Sequence, residues 1–444
     1  MTGMRGPIGI GPNSLPRRRF LALGAGVLGA AALGSCGRGS DTGSGAGGSG
    51  GGVTTITVWY WDDALKFAVD AFHEAQSDIR VSFQKLAWDD VHQKLLTSLA
   101  AGSGAPDVSA VDFEYLGGFS SRGGFVDLSQ KPYDAGQFQA DIVDFKWNQS
   151  LSADGRLVAF PWDIGPGGLW YRADLFEAVG LETDPDKVQA QVKSWDDWFR
   201  LGEELRAAGG PALIADSFSD VFYPAVLQQP GGQGWFDGDR IVVEEKAVRA
   251  LELALEAQER QVTADIGWWS PEWNAGVKND AFAGMGVASW EQIYLQADNP
   301  QTAGAWRVMH APEGDYNWGG GFMAIPEQSE KKDAAWEFIK FVCATKEGQN
   351  ALFLNSGIFP AYKPAWDDPF YDEPVEFFGG QKVNRLWTEI AQGAPGASVH
   401  PAFREANEIV DAEVAKVKNE GKDPSAAMRD AEAAIAERID GVTP

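Results

Sequence analysis

Aromatic side chains stand next to carboxylates at several points of this chain. Three such groups are Trp61-Asp62, Asp112-Phe113-Glu114 and Trp162-Asp163. An aromatic face can cover the C–H groups of a ligand, and a carboxylate can accept hydrogen bonds from its hydroxyl groups. Ligand sites commonly combine apolar walls with a few placed polar groups in this way. The pattern therefore predicts a binding site for a polar molecule that also has apolar faces.

The first two groups follow strands of one alternating α/β pattern. A β-branched and aromatic strand ends near Trp61, and helix, strand, helix and strand segments then lead to Asp112. This alternation predicts a doubly wound sheet, in which ligands bind beyond the carboxyl ends of the strands. We therefore expect Trp61, Asp62, Asp112 and Glu114 at the same edge of one sheet. The alternative for Asp62 is that it only caps the helix that follows.

The third group lies in the stretch from Leu157 to Phe176. An apolar run ends at Pro161, the breaker contains Trp162-Asp163 and Gly-Pro-Gly-Gly, and a second apolar run follows. Two strand-like segments joined by such a breaker suit the floor of a cleft. On spacing alone, a hairpin with an exposed Trp162 is the alternative.

The N-terminal segment is typical of a targeting signal. Arg17, Arg18 and Arg19 precede Phe20-Leu21 in a twin-arginine pattern, and a short apolar stretch then leads to Leu33-Gly34-Ser35-Cys36. The last four residues resemble the lipobox of bacterial lipoproteins, where the chain is cut before the cysteine and the thiol is lipidated. We expect residues 1–36 to be a signal peptide with its lipidated Cys36, and residues 37–52 to be a flexible Gly/Ser tether.

Composition bounds the remaining possibilities. With 444 residues the chain is long enough for two domains, and its net charge of −26 argues against nucleic acid or anionic lipid as partners. After Cys36 only Cys343 remains, so no internal disulfide is expected in the processed chain. The histidines His73, His92, His310 and His400 are scattered along the sequence, so neither a metal site nor a cofactor is expected.

An ordered set of blocks from about Thr55 to the C-terminus resembles a known family. The blocks are ITVWYW, APDVSAVDFEYLGGFSSRGGFVDL, LVAFPWDIGPGGLWYRADLFEAVGL, WDDWFRL, AFAGMGVASW and GGGFMAIPEQSEKKDAAWEFIKFVCATKEGQNALF. They are similar to the extracellular solute-binding proteins of bacterial ABC importers, in the branch that carries sugars. The resemblance implies a two-lobe, periplasmic-binding-protein-like α/β fold of type II. Each lobe is then a mixed sheet flanked by helices, with the ligand cleft between the lobes.

The resemblance also implies lobe boundaries. The first lobe would contain residues 53–163 and 304–342, and the second lobe residues 164–303 and 343–444. The chain would cross between the lobes near Asp163–Gly168, Gln292–Thr302 and Ala344–Gly348.

The same resemblance implies a set of ligand-binding residues. Trp290 takes the place of a stacking platform, the Gly-rich turn offers backbone N–H groups, and Arg404 adds a late cleft contact. The full set is Trp61, Asp62, Asp112, Phe113, Glu114, Trp162, Asp163, Trp290, Glu291, Trp318, Gly319, Gly320 and Arg404. Each has a structural alternative, such as a core position for Trp290. The role of Trp268, Trp269 and Trp273 stays open.

The implied function is that of a membrane-anchored, extracytoplasmic receptor. It would bind a mono- or oligosaccharide by hinge closure and deliver it, as a monomer on the outer face of the membrane, to an ABC permease. One alternative keeps the fold and binds a sugar phosphate, a polyamine or another small polar solute. Phosphate calls for cationic residues, whereas the predicted cleft is acidic and aromatic. A second alternative is a secreted glycoside hydrolase that uses Asp112 or Glu114 with Asp163 or Glu291.

Overall fold

A computed structural model describes residues 52–397 and 399–444. The predicted signal peptide with Cys36 and the predicted tether up to residue 51 lie outside the described residues. The strands are β1 (Thr54–Tyr60), β2 (Ile79–Lys85), β3 (Val108–Asp112), β4 (Phe160–Pro161), β5 (Asp163–Ile164), β6 (Pro166–Arg172), β7 (Ala212–Ile214), β8 (Phe236–Asp237), β9 (Arg240–Ile241), β10 (Phe282–Ala288), β11 (Trp306–Met309), β12 (Tyr316–Asn317), β13 (Gly321–Ala324) and β14 (Phe359–Pro360).

The α-helices are α1 (Leu65–Ala75), α2 (Trp88–Ala101), α3 (Phe113–Arg122), α4 (Asp144–Gln149), α5 (Ala173–Ala178), α6 (Pro185–Gln191), α7 (Trp195–Ala207), α8 (Tyr223–Leu227), α9 (Val243–Glu259), α10 (Pro271–Lys278), α11 (Glu291–Asp298), α12 (Lys332–Ala344), α13 (Lys346–Ser356), α14 (Val383–Gly393), α15 (Phe403–Glu420) and α16 (Pro424–Arg438). A π-helical turn, Phe218–Phe222, leads into α8. Short 3-10 helices span Ala135–Asp141, Pro300–Thr302, Lys363–Asp367, Pro369–Asp372 and Glu376–Phe378.

The first sheet has the strand order β2-β1-β3-β13-β4. Strand β1 is rich in β-branched and aromatic residues and pairs in parallel with both β2 and β3. The predicted α/β alternation over this segment is therefore confirmed. Because β1 and β3 run in the same direction, Trp61 and Asp112 lie at the same edge of the sheet. Strand β13 returns antiparallel to β3 and pairs Gly321 with Asp112.

The second sheet has the order β11-β6-β10-β7, with β12 also paired to β6. Every residue of the central strand β6 is buried, which fits a strand covered on both faces. Strands β10 and β11 flank it antiparallel, and β7 lies parallel to β10. We call the parts packed around the two sheets the first lobe and the second lobe. This two-lobe mixed α/β architecture is the predicted fold class.

Three backbone segments connect the lobes, and they lie side by side. The first connection is β5, and the second contains β14. The two strands pair with each other, with Asp163 opposite Pro360. The third connection is the stretch from Trp318 to Gly320, between β12 of the second sheet and β13 of the first. We call these the crossing segments.

Two of the predicted lobe boundaries are wrong. Strand β11 pairs with β6, so the residues just after Gly304 belong to the second sheet and not to the first lobe. Helix α13 packs against α1 and α12, so the first lobe extends beyond residue 342. The crossings predicted at Gln292–Thr302 and Ala344–Gly348 instead lie near Trp318–Gly320 and at β14.

Buried apolar side chains form three clusters. One lies on the first sheet and includes Phe160 and Trp336, and a second lies on the second sheet and includes Trp170 and Trp387. The third belongs mainly to the second lobe but also contains Phe113 of α3. This apolar packing between the lobes joins them near the edge where ligand residues are expected.

Replacing Gly167 by Ala should destabilise the second sheet. A Cβ at this position of β6 would lie 1.9 Å from Cε2 of the buried Tyr316, whose hydroxyl donates to the Gly168 carbonyl. Such overpacking costs about 1–3 kcal/mol of unfolding free energy. Chemical denaturation measures the change. Gly314→Ala is the control, because its Cβ would meet no atom within 4 Å. Equal stability of the two variants would contradict the packing described here.

Candidate functional site

Four of the predicted site residues meet where the crossing segments leave the first sheet. The Gly321 N–H donates to Asp163 Oδ1 at 2.7 Å, and the Phe113 N–H donates to the Gly320 carbonyl at 3.3 Å. A Cβ on Gly321 would lie 3.3 Å from both Asp163 Oδ1 and the Trp61 ring. We call Trp61, Asp112, Asp163 and the Gly320 turn the cleft floor.

Trp162 lies behind the floor rather than on it. It is 1% exposed and stacks on Tyr60 at 5.5 Å, and Tyr60 in turn stacks on Trp61 at 4.4 Å. The hairpin alternative with an exposed Trp162 is therefore wrong. The observed packing makes Trp162 a support for the Trp61 ring, and its direct contact with a ligand stays a prediction.

His92 is a structural member of the site that the sequence did not single out. Its Nε2 accepts from the Asp112 N–H at 3.0 Å, so Nδ1 carries the proton and donates to the Trp88 carbonyl at 2.7 Å. The ring stacks on Tyr115 at 4.0 Å and on Trp61 at 5.7 Å. Burial lowers the pKa of His92 to about 3. A neutral imidazole therefore braces the floor at the end of β3.

Asp62 accepts a backbone hydrogen bond in the turn after β1, and its contact with a ligand stays a prediction. One carboxylate oxygen accepts from the N–H of Ala64 at 2.7 Å; Ala64 is the N-cap residue of α1, which has no side-chain cap, so this bond forms in the turn before the helix. The side chain is nonetheless half-buried beside Trp61. Burial raises the pKa of Asp62 to about 6, and the Ala64 hydrogen bond opposes this shift.

The second lobe contributes a group of tryptophans. Trp290 donates its Nε1–H to the Trp318 carbonyl at 3.0 Å and stacks on Trp269 at 6.3 Å. Trp268 stacks on Trp318 at 5.8 Å. Trp318 and Trp273 are buried, whereas Trp268, Trp269 and Trp290 are only half-buried. Trp268 and Trp269 of the aromatic loop thus adjoin the predicted Trp290 and Trp318, and whether they contact a ligand stays open.

Close backbone contact between crossing segments explains Gly165. The Gly165 N–H donates to Asn317 Oδ1 at 2.8 Å, and the Trp318 N–H donates to the Gly165 carbonyl at 2.7 Å. A Cβ on Gly165 would lie 2.0 Å from the Trp318 carbonyl oxygen. Gly319 and Gly320 adopt φ values of +93° and +104°, which favour glycine. These glycines therefore allow the turn to place the backbone of Trp318 within hydrogen-bonding distance of Trp290.

Glu114 and Arg404 join the lobes directly. Arg404 Nη1 lies 2.7 Å from Glu114 Oε2, and its guanidinium covers the rings of Trp88 and Tyr115 at 5.4 and 5.2 Å. The ring of Phe113 lies 5.8 Å from that of Phe403. The structure therefore brings the predicted residues Phe113, Glu114 and Arg404 together across the lobes, where the two charged side chains bind each other.

Glu291 is separated from solvent. Its side chain is fully buried, and neither carboxylate oxygen has a hydrogen-bond partner in the described part of the chain. Burial raises its pKa well above the usual range, and Asp298 and Asp220 add to the shift. The position follows Trp290 directly, so Glu291 lies behind the tryptophan group, and its contact with a ligand stays a prediction.

Lys146 is a second residue that the sequence did not single out. It lies in the short helix α4, is 0% exposed, and has its Nζ 3.8 Å from the centre of the Phe322 ring. Within residues 52–397 and 399–444, Nζ has no hydrogen-bond partner. Burial lowers the pKa of Lys146 to about 7, and Asp163 and Asp112 oppose this shift.

Burial also shifts the carboxyl groups around the floor. It raises the pKa of Asp112 to about 6 and that of Asp163 to about 7, and Lys146 counteracts both shifts. Burial and the neighbouring Asp112 raise the pKa of Glu114 to about 8, against the effect of Arg404. The site thus concentrates carboxyl groups that take up a proton more readily than exposed ones.

Other candidate features do not coincide with these residues. A cavity of about 200 Å³ lies in the second lobe and contains no predicted site residue; it is lined in part by Trp195, Gln228, Arg249 and Glu313. Among the described residues no group of His, Cys, Asp and Glu is arranged to hold a metal ion. None of the described helices is both long and apolar enough to span a membrane.

The raised carboxyl pKa values predict that the ligand-free protein loses stability as the pH rises. These groups bind protons more tightly in the folded than in the unfolded chain, so their contribution is complete below about pH 4 and is lost through about pH 6 to 8. Calorimetry should show a lower unfolding temperature at pH 8 than at pH 5.

Asp112→Asn should flatten that pH profile, because Asn can still cap α3 but does not titrate. Asp90→Asn on the exposed face of α2 serves as the control. An unchanged slope in Asp112→Asn would contradict the assignment.

Comparisons with known proteins agree with this architecture. The model of the family described as bacterial extracellular solute-binding protein matches residues 68–379. The chain is 27% identical over 362 residues to the lactose-binding protein of Rhizobium radiobacter, covering 76% of this chain and 81% of that protein. It is 26% identical over 366 residues to the diacetylchitobiose binding protein DasA of Streptomyces coelicolor, covering 78% and 82%.

A solved structure shows the same fold. The ABC transporter associated binding protein from B. animalis subsp. lactis Bl-04, in complex with beta-1,6-galactobiose, superposes with a TM-score of 0.70 at 22% identity. The alignment covers 87% of this chain and 97% of that one. With the family model matching residues 68–379, more than half of the sequence, the chain belongs to the bacterial extracellular solute-binding proteins.

Proposed function

We propose that this protein is an extracytoplasmic receptor that binds a carbohydrate between its lobes and delivers it to an ABC permease. The family consists of solute-binding proteins and not of enzymes, so the hydrolase alternative is set aside. The carbohydrate, the permease, the lipid anchor and the monomeric state are parts of the proposal.

One observation carries the proposal. Half-buried Trp290, which stacks on Trp269, hydrogen-bonds to the backbone of Trp318 in the third crossing segment. That segment ends next to Gly321, which hydrogen-bonds to Asp163 and lies beside Trp61 of the first lobe. Aromatic faces and carboxylates therefore occur within one site, and a sugar ring presents C–H faces to the former and hydroxyls to the latter. The similarity to a lactose-binding protein and to a diacetylchitobiose binding protein supports the same class of ligand.

The charge arrangement favours a neutral ligand over a polyamine. Arg404 pairs with Glu114, and the ammonium of Lys146 acts on both Asp112 and Asp163. These two cations offset part of the negative charge of the site, and a polyamine would need that charge for binding. A sugar phosphate fits less well still, because Arg404 is already engaged by a carboxylate.

The crossing segments supply a physical basis for closure. They are short, they hydrogen-bond to one another, and the lobes meet through the Glu114–Arg404 pair at the α3–α15 contact. A ligand that contacts both lobes would stabilise the closed arrangement by the difference in its affinity for the closed and open forms.

Isothermal titration calorimetry tests the carbohydrate assignment. The panel contains lactose, arabinobiose and N,N′-diacetylchitobiose, with putrescine and glucose 6-phosphate as ligands of the competing classes. We expect stoichiometric binding of at least one neutral sugar without turnover. Binding of putrescine or glucose 6-phosphate in the absence of any sugar binding would overturn the proposal.

The same titration can locate the site. Trp269→Ala removes a half-buried ring whose burial against a sugar is worth about 1.5–3 kcal/mol, so Kd should rise about 10- to 150-fold. Phe67→Ala is the control, because this ring is 38% exposed on α1, away from the crossing segments. Equal affinity of the two variants would exclude Trp269 from the ligand site.

The proposed anchor has a separate test. Metabolic labelling with a radioactive fatty acid should label the wild type but not Cys36→Ala, because the thiol that carries the lipid is lost. Cys343→Ala, at a buried position in α12, should be labelled like the wild type. Labelling of Cys36→Ala would refute a lipid anchor at this residue and leave the sugar assignment unaffected.

A further inference from the structure

Tyr294 of α11 adjoins the tryptophan group, and the sequence did not single it out. It lies one helical turn after Trp290, so the two side chains project from the same face of the helix. Its ring meets that of Trp269 edge to face, with the ring centres 5.0 Å apart and the planes at 83°. Because Trp269 also stacks on Trp290 at 6.3 Å, the three rings form one continuous aromatic surface.

The central ring of this surface is held in place despite backbone strain. Trp269 has a φ of +61°, in the left-handed region that bulky residues rarely adopt. Such a conformation persists only where the surroundings over-determine it, and such residues cluster at ligand sites. Ring contacts with Trp268, Trp273, Trp290 and Tyr294 supply the holding interactions. The aromatic surface therefore has a fixed shape.

The hydroxyl of Tyr294 has no partner in the protein. Within residues 52–397 and 399–444 it makes no hydrogen bond, although the side chain is half-buried. Buried tyrosine hydroxyls usually find a partner, because a hydroxyl without a hydrogen bond is costly away from water. Phenylalanine would make the same ring contact with Trp269. Packing thus accounts for the ring of Tyr294 but not for its oxygen.

Tyr294 also lies within electrostatic range of the first lobe. Burial raises the pKa of Tyr294 above its usual range, and the charge of Asp62 adds to the shift. Asp62 follows β1, and Tyr294 acts in the same way on Tyr60 at the end of that strand. The phenol therefore stays protonated at neutral pH, so its oxygen can both donate and accept a hydrogen bond.

We propose that Tyr294 is a ligand-binding residue whose hydroxyl hydrogen-bonds to one hydroxyl group of a carbohydrate that stacks on Trp269. A sugar carries its hydroxyls around the rim of the faces that stack, so a polar atom at the edge of an aromatic surface meets them. One fixed hydroxyl also discriminates between sugars that differ in a single hydroxyl group. This inference rests on the proposed carbohydrate function.

The first experiment removes only the oxygen. Tyr294→Phe is titrated with whichever of lactose, arabinobiose or N,N′-diacetylchitobiose binds the wild type. Kd should rise about two- to tenfold, as expected for the loss of one hydrogen bond between neutral groups. The midpoint of chemical denaturation without ligand should stay unchanged, because the hydroxyl has no partner in the described chain.

Tyr133→Phe is the matched control. Tyr133 also meets a tryptophan edge to face, Trp336 at 6.1 Å, and its hydroxyl makes no hydrogen bond within the part of the chain that the structure describes. It lies in the apolar cluster of the first sheet, so its oxygen should not matter for the ligand. Equal affinities of Tyr294→Phe and Tyr133→Phe would overturn the proposal.

The second experiment separates direct contact from an effect through Trp269. Wild type and Tyr294→Phe are titrated with each monodeoxy analogue of the bound sugar. The two proteins should bind one analogue equally, the one that lacks the hydroxyl held by Tyr294, and should keep their full difference with the others. A difference of the same size for every analogue would mean an indirect effect and would contradict the contact.

The outcomes distinguish this inference from the carbohydrate proposal. If the wild type binds none of the sugars, the carbohydrate proposal fails and this inference fails with it. If the wild type binds a sugar and Tyr294→Phe binds it equally well, only the role of Tyr294 is refuted. A lowered denaturation midpoint in Tyr294→Phe would mean that the hydroxyl serves the fold, which also refutes that role.

Discussion

The hydrogen bond from the Gly321 N–H to Asp163 Oδ1 ties two crossing segments together at the edge of the first sheet. A few residues away, the Trp318 N–H donates to the Gly165 carbonyl. The two backbones are so close that a Cβ on Gly165 would overlap the Trp318 carbonyl oxygen. These two contacts determine where Trp318 runs, and Trp290 hydrogen-bonds to the Trp318 backbone. The relative placement of the tryptophan group and the cleft floor therefore depends on backbone proximity that only glycine allows.

Charge burial is the second constraint on the site. The carboxyl groups of Asp112, Glu114 and Asp163 lie at the same junction, and each would be more stable in water. Among the described residues, two cations lie near these carboxyl groups: Arg404, which pairs with Glu114, and Lys146, whose Nζ has no hydrogen-bond partner there. Such an arrangement costs stability in the ligand-free state. It is consistent with a site whose polar groups are completed by a ligand, because hydroxyl groups can donate to the remaining carboxylate oxygens.

Local pattern was sufficient to predict the first three strands of the first sheet but not the lobe boundaries. The alternating strand and helix stripes up to Asp112 specify a doubly wound unit, in which β1 pairs in parallel with both β2 and β3. Strand β11 carries an equally good strand pattern, yet nothing in its residues says that it pairs with β6 of the second sheet. Helix α13 was assigned to the wrong lobe for the same reason, because the apolar face of a helix does not show which other helix it packs against.

The candidate site shows the same division. Trp61, Asp112 and Asp163 could be placed from strand ends and from the breaker in the Leu157–Phe176 stretch. The burial of Trp162 could not, because a tryptophan after Pro161 has the same local sequence whether it faces a cleft or the core. Lys146 carried no signal at all, because a single lysine in a six-residue helix is usually solvated.

The Glu114–Arg404 pair joins residues 290 positions apart and gives the two lobes a contact that does not need a ligand. A ligand changes the balance between open and closed forms only through contacts that differ between them. Contacts within one lobe, such as the bracing of Trp61 by His92, contribute to affinity but not to closure. In the proposed receptor, a ligand that contacted both the cleft floor and the Trp269–Trp290 pair would favour closure, because opening would break one set of contacts. Under that proposal the aromatic rings of the second lobe govern closure, and the carboxylates of the first lobe select the arrangement of the ligand's hydroxyl groups.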